Sequence, residues 1–264
     1  MGESTKRIRR RNNARKQLIK VITNAERVVV IHYSCESFYD RPDGTSPRIT
    51  SIAALNLASR QTKSFSIHQV AERKKYSRAQ LEQYYDELEK IMLREFYDYV
   101  KSRSGSIWLH WNMRNINYGF EALAHRFRVL GGQPVDIHES QLVDLANILI
   151  NMYGPKYMEH PRLTNLLDYN RISRKEFLVG GEEATTFEQK EYVKLHQSTL
   201  RKVDVIASIA ERANDGKLKT LATWKDIYGD YPEAVGEFLR ENWIIAVIGF
   251  ISAIISIVAL FITM

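Results

Sequence analysis

Glu36 is the first residue of the sequence that could do chemistry, because its carboxylate stands where an apolar run ends in small and polar residues. Carboxylate oxygens are the ligands that Mg²⁺ and Mn²⁺ prefer, whereas a neutral serine or asparagine side chain coordinates such ions weakly. Two ions held about 4 Å apart can activate water and stabilise the leaving oxygen of a phosphodiester. This chemistry requires a fold that brings side chains together from separate parts of the chain.

The apolar run Val28–Ile31 predicts a buried strand at the centre of the fold. Consecutive β-branched residues without polar alternation are typical of a strand that is covered on both faces. Glu36 follows where this strand ends, and α/β folds collect functional groups at the carboxyl ends of central strands. On the same strand we expect His32 to be a hydrogen-bonded core histidine. We expect Cys35, the one cysteine of the chain, to be a small buried side chain.

Hydrophobic periodicity and turn signals divide the rest of the chain into further strands and helices. Ser77 and Gln80 form a capping-box pattern that predicts the start of a long helix, and Gly131 predicts the end of a later one. The predicted strands cover 28–34, 49–58, 63–70, 107–111 and 135–137. The predicted helices cover 14–25, 77–102, 118–130, 142–152 and most of 182–214.

Several short stretches resemble motifs of the DEDD-type 3′–5′ exonucleases, which have the ribonuclease H-like fold. Ser34–Glu36 is similar to the Asp-x-Glu that ends the family's first strand, with serine at the Asp position. Arg48–Leu55 resembles the family's second strand. His110–Phe120 resembles the second motif, with Asn117 at the position of its Asp and Asn115 as the alternative alignment.

The resemblance extends over roughly residues 28–200. Asp144, in Leu142–Ala146, resembles the start of a helix that the family's third region contains. Glu183, in Gly180–Ala184, stands for the Asp of the last motif. The resemblance implies an α/β fold with a ribonuclease H-like mixed sheet, in which three antiparallel strands are followed by parallel strands and helices flank the sheet.

The same resemblance implies an exonuclease that depends on Mg²⁺ or Mn²⁺. Glu36 and Glu183 would be its metal ligands, and Ser34, Asn117 and Asp144 would complete the catalytic site. Two of the four expected acids are neutral in this chain, because serine and asparagine stand at Asp positions. The alternative is an inactive descendant of the fold, without a cofactor, in which these residues form a hydrogen-bonded polar cluster.

The positive charge of the chain is concentrated at its N-terminus. The net charge is +7. Positions 1–20 account for all of it, because eight Lys or Arg side chains there are balanced by a single Glu. This basic arm could bind nucleic-acid phosphates, through Arg9, Arg10 and Arg11, or anionic lipid headgroups. The alternative is a solvated, frayed helix start.

Aromatic and amide side chains next to the second motif are further candidates for contacts with nucleic acid. Trp111, Asn112 and Tyr118 could bind a single strand whose bases stack on the two rings. Aromatic residues beside a strand-to-helix corner are more often part of the core, so both interpretations stay open.

The C-terminal segment Trp243–Met264 predicts a transmembrane helix. No charged residue occurs anywhere in this segment. As a helix it would be roughly 33 Å long at ~1.5 Å per residue, enough for a hydrocarbon core of ~30 Å. We expect a single-pass C-terminal anchor with the N-terminal domain on the cytoplasmic side. Gly249 and Ala253 have small-xxx-small spacing, which could pair two copies of the helix into a homo-oligomer.

These patterns predict four parts and two candidate functions. The parts are a basic arm at 1–25, a ribonuclease H-like domain at 26–215, a juxtamembrane helical linker at 216–242 and the membrane helix at 243–264. The first function is a membrane-anchored, exonuclease-like protein that binds or degrades nucleic acid, in defence against foreign nucleic acid. The second is a catalytically inactive sensor or scaffold that signals through its membrane helix.

Overall fold

A five-stranded mixed sheet forms the centre of the fold. The computed structural model describes residues 3–37, 46–115 and 118–229, together with 236, 243–244, 247–249, 251–252 and 254–255. The strands are β1 (Val28–Cys35), β2 (Ile49–Asn56), β3 (Thr62–Ser66), β4 (Ile107–His110), β5 (Arg114–Asn115), β6 (Tyr118–Gly119) and β7 (Leu142–Asp144). The sheet has the order β3-β2-β1-β4-β7, and β5 pairs with β6 in a separate two-stranded sheet.

The first strand lies in the middle of the sheet, as its apolar sequence predicts. It pairs antiparallel with β2 and parallel with β4, and β4 pairs parallel with β7. Every residue of β1 is buried, because helices cover both faces of the sheet. Val28 and Val30 belong to the hydrophobic core on one face, and Val29 and Ile31 belong to the core on the other. The α/β class and the mixed sheet are therefore as predicted.

Ten α-helices occur in the described residues of 3–229. They are α1 (Glu3–Thr23), α2 (Ile67–Arg73), α3 (Arg78–Gln83), α4 (Tyr85–Ser102), α5 (Phe120–Val129), α6 (Leu145–Tyr153), α7 (Arg162–Tyr169), α8 (Gly180–Glu188), α9 (Tyr192–Asn214) and α10 (Trp224–Tyr228). The capping box of Ser77 and Gln80 is present at the start of α3. The predicted long helix is interrupted at Tyr84, which separates α3 from α4.

Two predicted strands are wrong in their positions. The third strand ends at Ser66 and the chain continues as α2, whose buried residues Ile67, Val70 and Ala71 have helical spacing. The fifth strand of the sheet was predicted at 135–137. It is instead β7, which lies in a stretch that was predicted to start a helix. The carboxylate of Asp144 accepts a hydrogen bond from the Ala146 N–H at 2.9 Å and so starts α6 after the strand. An N-cap inside an apolar run therefore marks the boundary.

Helix α1 makes the basic arm part of the fold. It begins at Glu3, whereas the periodicity predicted a helix only over 14–25. Ile8, Leu18 and Val21 are buried, and the helix packs against α6, α9 and α10. The apolar residues on one face fix this helix, even though its other side chains are mostly basic.

A buried ion pair connects α4 and α5, which pack on the same face of the sheet. Arg126 of α5 donates from Nε and Nη2 to the two oxygens of Glu89 in α4, at 3.0 and 2.6 Å. Glu89 is fully buried and also accepts a hydrogen bond from the Ile49 N–H at 2.8 Å. The carboxylate therefore joins β2, α4 and α5.

Replacing Arg126 by Met should destabilise the fold by about 3–5 kcal/mol, because the Glu89 carboxylate would stay buried without its partner. The free energy of unfolding, from urea denaturation followed by circular dichroism, measures this loss. Arg73→Met is the matched control, since it breaks the exposed ion pair of Arg73 with Glu95. The control should lose less than about 1 kcal/mol. Equal losses in both variants would contradict the structural role of Arg126.

Candidate polar site behind the central strand

Polar side chains meet in a buried cluster where β1 approaches its carboxyl end. Ser34 donates a hydrogen bond from Oγ to Oε1 of Glu183, at 3.4 Å. Ser198 of α9 donates to the same oxygen, also at 3.4 Å. Glu183 lies in the first turn of α8 and is buried. The structure therefore brings together Ser34 and Glu183, two residues that the sequence placed in one site.

Lys202 supplies a cation to this cluster. Its Nζ lies 2.7 Å from Oε2 of Glu183, and the two side chains are only 7% and 6% exposed. The same Nζ lies 5.5 Å above the ring of Phe177. Both oxygens of the Glu183 carboxylate are thus occupied by groups of the protein itself.

Lys202 is not among the residues predicted from the sequence, although the sequence contains a signal for it. Within α9, the buried residues Leu195, Ser198, Lys202 and Ile206 recur every three or four positions. A lysine inside the buried stripe of an amphipathic helix needs a partner of opposite charge. The positive charge of Lys202 therefore predicts an acidic residue packed against α9, but the sequence alone does not identify that residue.

A row of three serines extends the polar cluster across the sheet. Ser34, Ser51 and Ser66 are register partners on β1, β2 and β3, and all three are buried. The Ser51 hydroxyl lies 2.7 Å from that of Thr199 in α9. The contact between the sheet and α9 is therefore polar here, whereas the surrounding core is apolar.

His32 and Tyr118 lie beside the same cluster. The Tyr118 hydroxyl donates to the backbone oxygen of Tyr33 at 3.0 Å and lies 3.3 Å from Nδ1 of His32. The rings of Tyr118 and Tyr33 stack with their centroids 4.5 Å apart. Burial holds the pKa of His32 well below its ordinary value, and the charge of Lys202 adds to this effect. As expected, His32 is a hydrogen-bonded core histidine.

Glu36 lies just past the end of β1, on the other side of Cys35 in sequence from Ser34. Its Oε2 accepts a hydrogen bond from the Arg48 N–H at 3.3 Å, and its own N–H donates to the Arg48 oxygen at 2.8 Å. Cys35 is buried, as predicted. Burial raises the pKa of the Cys35 thiol, and the charges of Glu183 and Glu36 raise it further. The negative charges of both carboxylates therefore oppose deprotonation of this thiol.

Asp144 belongs to a second polar cluster. It lies at the end of β7, which β4 separates from β1 in the sheet. Its carboxylate accepts a hydrogen bond from the Asn112 N–H at 3.0 Å and lies 2.5 Å from Nε of Arg114. His110, at the end of β4, accepts a hydrogen bond from the Met113 N–H at Nδ1. Asp144 and Asn112, predicted for catalysis and for nucleic-acid binding, thus meet each other in this cluster.

A cavity of about 1070 Å³ opens beside the second cluster. His110, Arg114 and Asp144 line it, together with residues of α4 and α5. Burial lowers the pKa of His110 to about 4, while the charge of Asp144 raises it and that of Arg114 lowers it. The His110 ring is therefore neutral near pH 7.

The remaining predicted contacts with nucleic acid are placed as follows. Trp111 is half-buried and packs against the core that contains α6 and α9. Arg9 and Arg10 are exposed on α1, and the Arg11 guanidinium lies 4.7 Å above the ring of Tyr228. Asn117 lies outside the described residues, so its place in the site stays a prediction.

The cluster around Glu183 does not suit a pair of divalent ions. Ser34 supplies a hydroxyl where the exonuclease resemblance expects a carboxylate, and the Lys202 ammonium already neutralises Glu183. Within the described ranges, no group of three or more His, Cys, Asp or Glu residues could hold a metal ion. A metal at Glu183 would have to displace Lys202 from a buried position.

Comparison of the chain with protein-family models, with curated proteins and with solved structures finds no match. None of the described helices is long and apolar enough to cross a membrane. Most of 243–264 lies outside the described residues, so the C-terminal anchor stays a prediction.

The buried histidines predict that the fold loses stability in mild acid. Burial lowers the pKa of His32, His68, His110 and His196, the last two to about 4. Because the unfolded chain takes up protons near pH 6.5 and the folded chain does not, stability is lost as the pH falls from about 6.5 toward 4. Glu89 acts in the opposite direction, since burial raises its pKa to about 7.

His196→Leu tests this prediction. The loss of unfolding free energy between pH 7 and pH 5 should be about 1–2 kcal/mol smaller in the variant than in the wild type. His125→Leu is the control, because His125 is exposed, and it should keep the pH dependence of the wild type. Urea denaturation at the two pH values measures both. A wild type equally stable at both pH values would show that the prediction is wrong.

Proposed function

We propose that this chain is a membrane-anchored, ribonuclease H-like protein that does not hydrolyse nucleic acid and acts as a sensor or scaffold. One observation carries the proposal: the Lys202 ammonium lies 2.7 Å from the carboxylate of Glu183, the residue that the exonuclease resemblance assigns to a metal ion. A buried lysine can serve the same electrostatic purpose as a metal ion, because it neutralises the carboxylate. It cannot activate water as a Lewis acid.

The order and direction of the strands support the ribonuclease H-like part of the proposal. Three antiparallel strands are followed along the chain by strands that lie parallel to the first, and the first strand is central. Ser34, Glu36 and Glu183 lie near the carboxyl end of that strand, where the exonuclease motifs would place them. A fold does not carry a function by itself, so the proposal depends on the chemistry of these residues.

The charge of the site is the second support. Glu183 and Lys202 cancel, and Ser34 is neutral. Among the described residues that match the four expected acids, at most one net negative charge remains, that of Glu36. Two divalent ions bring four positive charges, and one carboxylate offsets only one of them. Hard cations in proteins are held by several oxygen ligands, which this cluster does not offer.

The membrane part of the proposal rests on the sequence of 243–264. This charge-free segment is long enough to span a bilayer as a helix. In this proposal the ribonuclease H-like domain does not hydrolyse a substrate. It signals by changing the position of 243–264 or the pairing of two copies of this segment. A role in defence against foreign nucleic acid remains a hypothesis within this proposal, with the domain sensing the nucleic acid.

Replacing Lys202 by Met should destabilise the protein by about 3–5 kcal/mol, because Glu183 would stay buried without a cation. Replacing both residues, as in Lys202→Met with Glu183→Leu, should restore most of that loss. Lys194→Met is the control, since it breaks the exposed ion pair of Lys194 with Glu191 and should change stability by less than about 1 kcal/mol. Urea denaturation of the detergent-solubilised chain gives the three values. A double variant as unstable as Lys202→Met would contradict the coupling.

Calorimetric titration with Mn²⁺ and a nuclease assay test the absence of metal chemistry. The wild-type chain should show neither saturable Mn²⁺ binding nor hydrolysis of single-stranded DNA or RNA with Mg²⁺ or Mn²⁺. The combination Ser34→Asp, Asn117→Asp and Lys202→Gln restores acids and removes the ammonium, so it should bind Mn²⁺. Hydrolysis by the wild type that Glu36→Gln abolishes would overturn the proposal in favour of an active exonuclease.

A further inference from the structure

The outward face of α1 carries a row of cations without acidic neighbours in the sequence. We call Arg9, Lys16 and Lys20 the basic stripe. At about 100° per residue these three positions fall within about 40° of one another around the helix. All three side chains are exposed, and no described residue forms an ion pair with them. No Asp or Glu occurs between residues 4 and 25.

The packing of α1 fixes the direction of the basic stripe. Ala14, Leu18 and Val21 lie on the opposite side of the helix and are buried against the domain. The helix therefore cannot rotate without exposing apolar surface, and the stripe points away from the sheet. Ile19 stands beside the stripe and is exposed. An exposed row of cations can attract anionic lipid headgroups, and an exposed apolar side chain beside it can enter the membrane interface.

The N-terminal half of α1 contacts α10, which precedes the apolar C-terminal segment in the sequence. Arg7 donates from Nε to the backbone oxygen of Asp226 at 2.8 Å, and Arg11 lies above the Tyr228 ring. The charge-free segment begins at Trp243, a short distance after Tyr228 in the sequence. The chain between Tyr228 and Trp243 spans at most about 50 Å when fully extended. The basic stripe is therefore held within reach of any membrane that the C-terminal segment enters.

We propose that the basic stripe binds the anionic lipid headgroups of the membrane that holds 243–264. This inference rests on the proposed membrane anchor. Each Lys or Arg near an anionic surface contributes roughly fivefold to the attraction, so three contribute roughly a hundredfold. The domain is then held against the bilayer at two places, the anchor and the outward face of α1.

Nucleic acid suits the basic stripe less well than lipid. A single strand is bound by cations together with aromatic rings on which bases stack. The exposed face of α1 has no aromatic residue. Trp111 packs against the core, and the Tyr118 ring stacks on Tyr33. The charge and the apolar neighbour Ile19 together favour a lipid surface.

A fluorescent label on the stripe tests this proposal in the full-length chain. Asn13 is exposed between Arg9 and Lys16, so Asn13→Cys places a thiol on the face of the stripe. The native Cys35 is buried, which restricts labelling to the new thiol. The labelled protein is reconstituted into nanodiscs of phosphatidylcholine, either alone or mixed with phosphatidylserine as the minor lipid. We expect the dye emission to shift to shorter wavelength in the anionic discs alone, and high salt to reverse the shift.

Two triple variants separate the stripe from general charge effects. Arg9→Gln, Lys16→Gln and Lys20→Gln should reduce the equilibrium constant for headgroup contact roughly a hundredfold and abolish the shift. Lys75→Gln, Arg94→Gln and Lys175→Gln remove the same charge from exposed positions on other elements and should leave the shift unchanged.

The possible failures of this experiment are distinguishable. A chain that is not retained in either kind of nanodisc would refute the anchor itself. A chain that is retained in both, with the same emission in both, would overturn the headgroup contact and leave the anchor intact. A shift that appears on adding a single-stranded oligonucleotide, and not with phosphatidylserine, would assign the stripe to nucleic acid instead.

Discussion

Placing two opposite charges inside a protein removes both from water, and the loss of hydration costs several kcal/mol for each ion. The pair of Lys202 and Glu183 offsets this cost through direct contact at 2.7 Å and through hydrogen bonds from Ser34 and Ser198 to the second carboxylate oxygen. Because α8 supplies the anion and α9 supplies the cation, the two helices must keep this arrangement against β1. The polar layer between the sheet and α9 depends on this one contact.

The same contact decides which chemistry the site can perform. A divalent-metal site needs free carboxylate oxygens, whereas both oxygens of Glu183 are bound by groups of the protein. The other acids are engaged by the protein as well: Glu36 accepts a hydrogen bond from the Arg48 N–H, and Asp144 caps α6 and pairs with Arg114. These residues form three separate structural interactions. In a metal-dependent nuclease, carboxylates like these converge on shared ions.

The sheet could be predicted largely from local patterns, and the site only in part. Val28–Ile31 indicated a central strand because a strand that is buried on both faces has apolar residues at consecutive positions. β7 could not be separated from α6 in the sequence. So short an apolar strand shows neither the alternation of a strand nor the spacing of a helix, and the boundary depends on the N-cap at Asp144. Ser34 and Glu183 were placed together by resemblance to exonuclease motifs. Lys202 was missed, because the partner of a buried charge is set by tertiary packing and not by spacing along the chain.

The central claim, that a lysine stands where an exonuclease would hold a metal ion, can be examined directly in a crystal soaked with Mn²⁺. Anomalous diffraction at the manganese edge locates such ions without reference to activity. The structure predicts no anomalous peak at Glu183, with Lys202 still in contact with its carboxylate. A peak about 2.2 Å from a Glu183 oxygen, with the Lys202 ammonium displaced, would contradict the claim and restore the site as a metal centre.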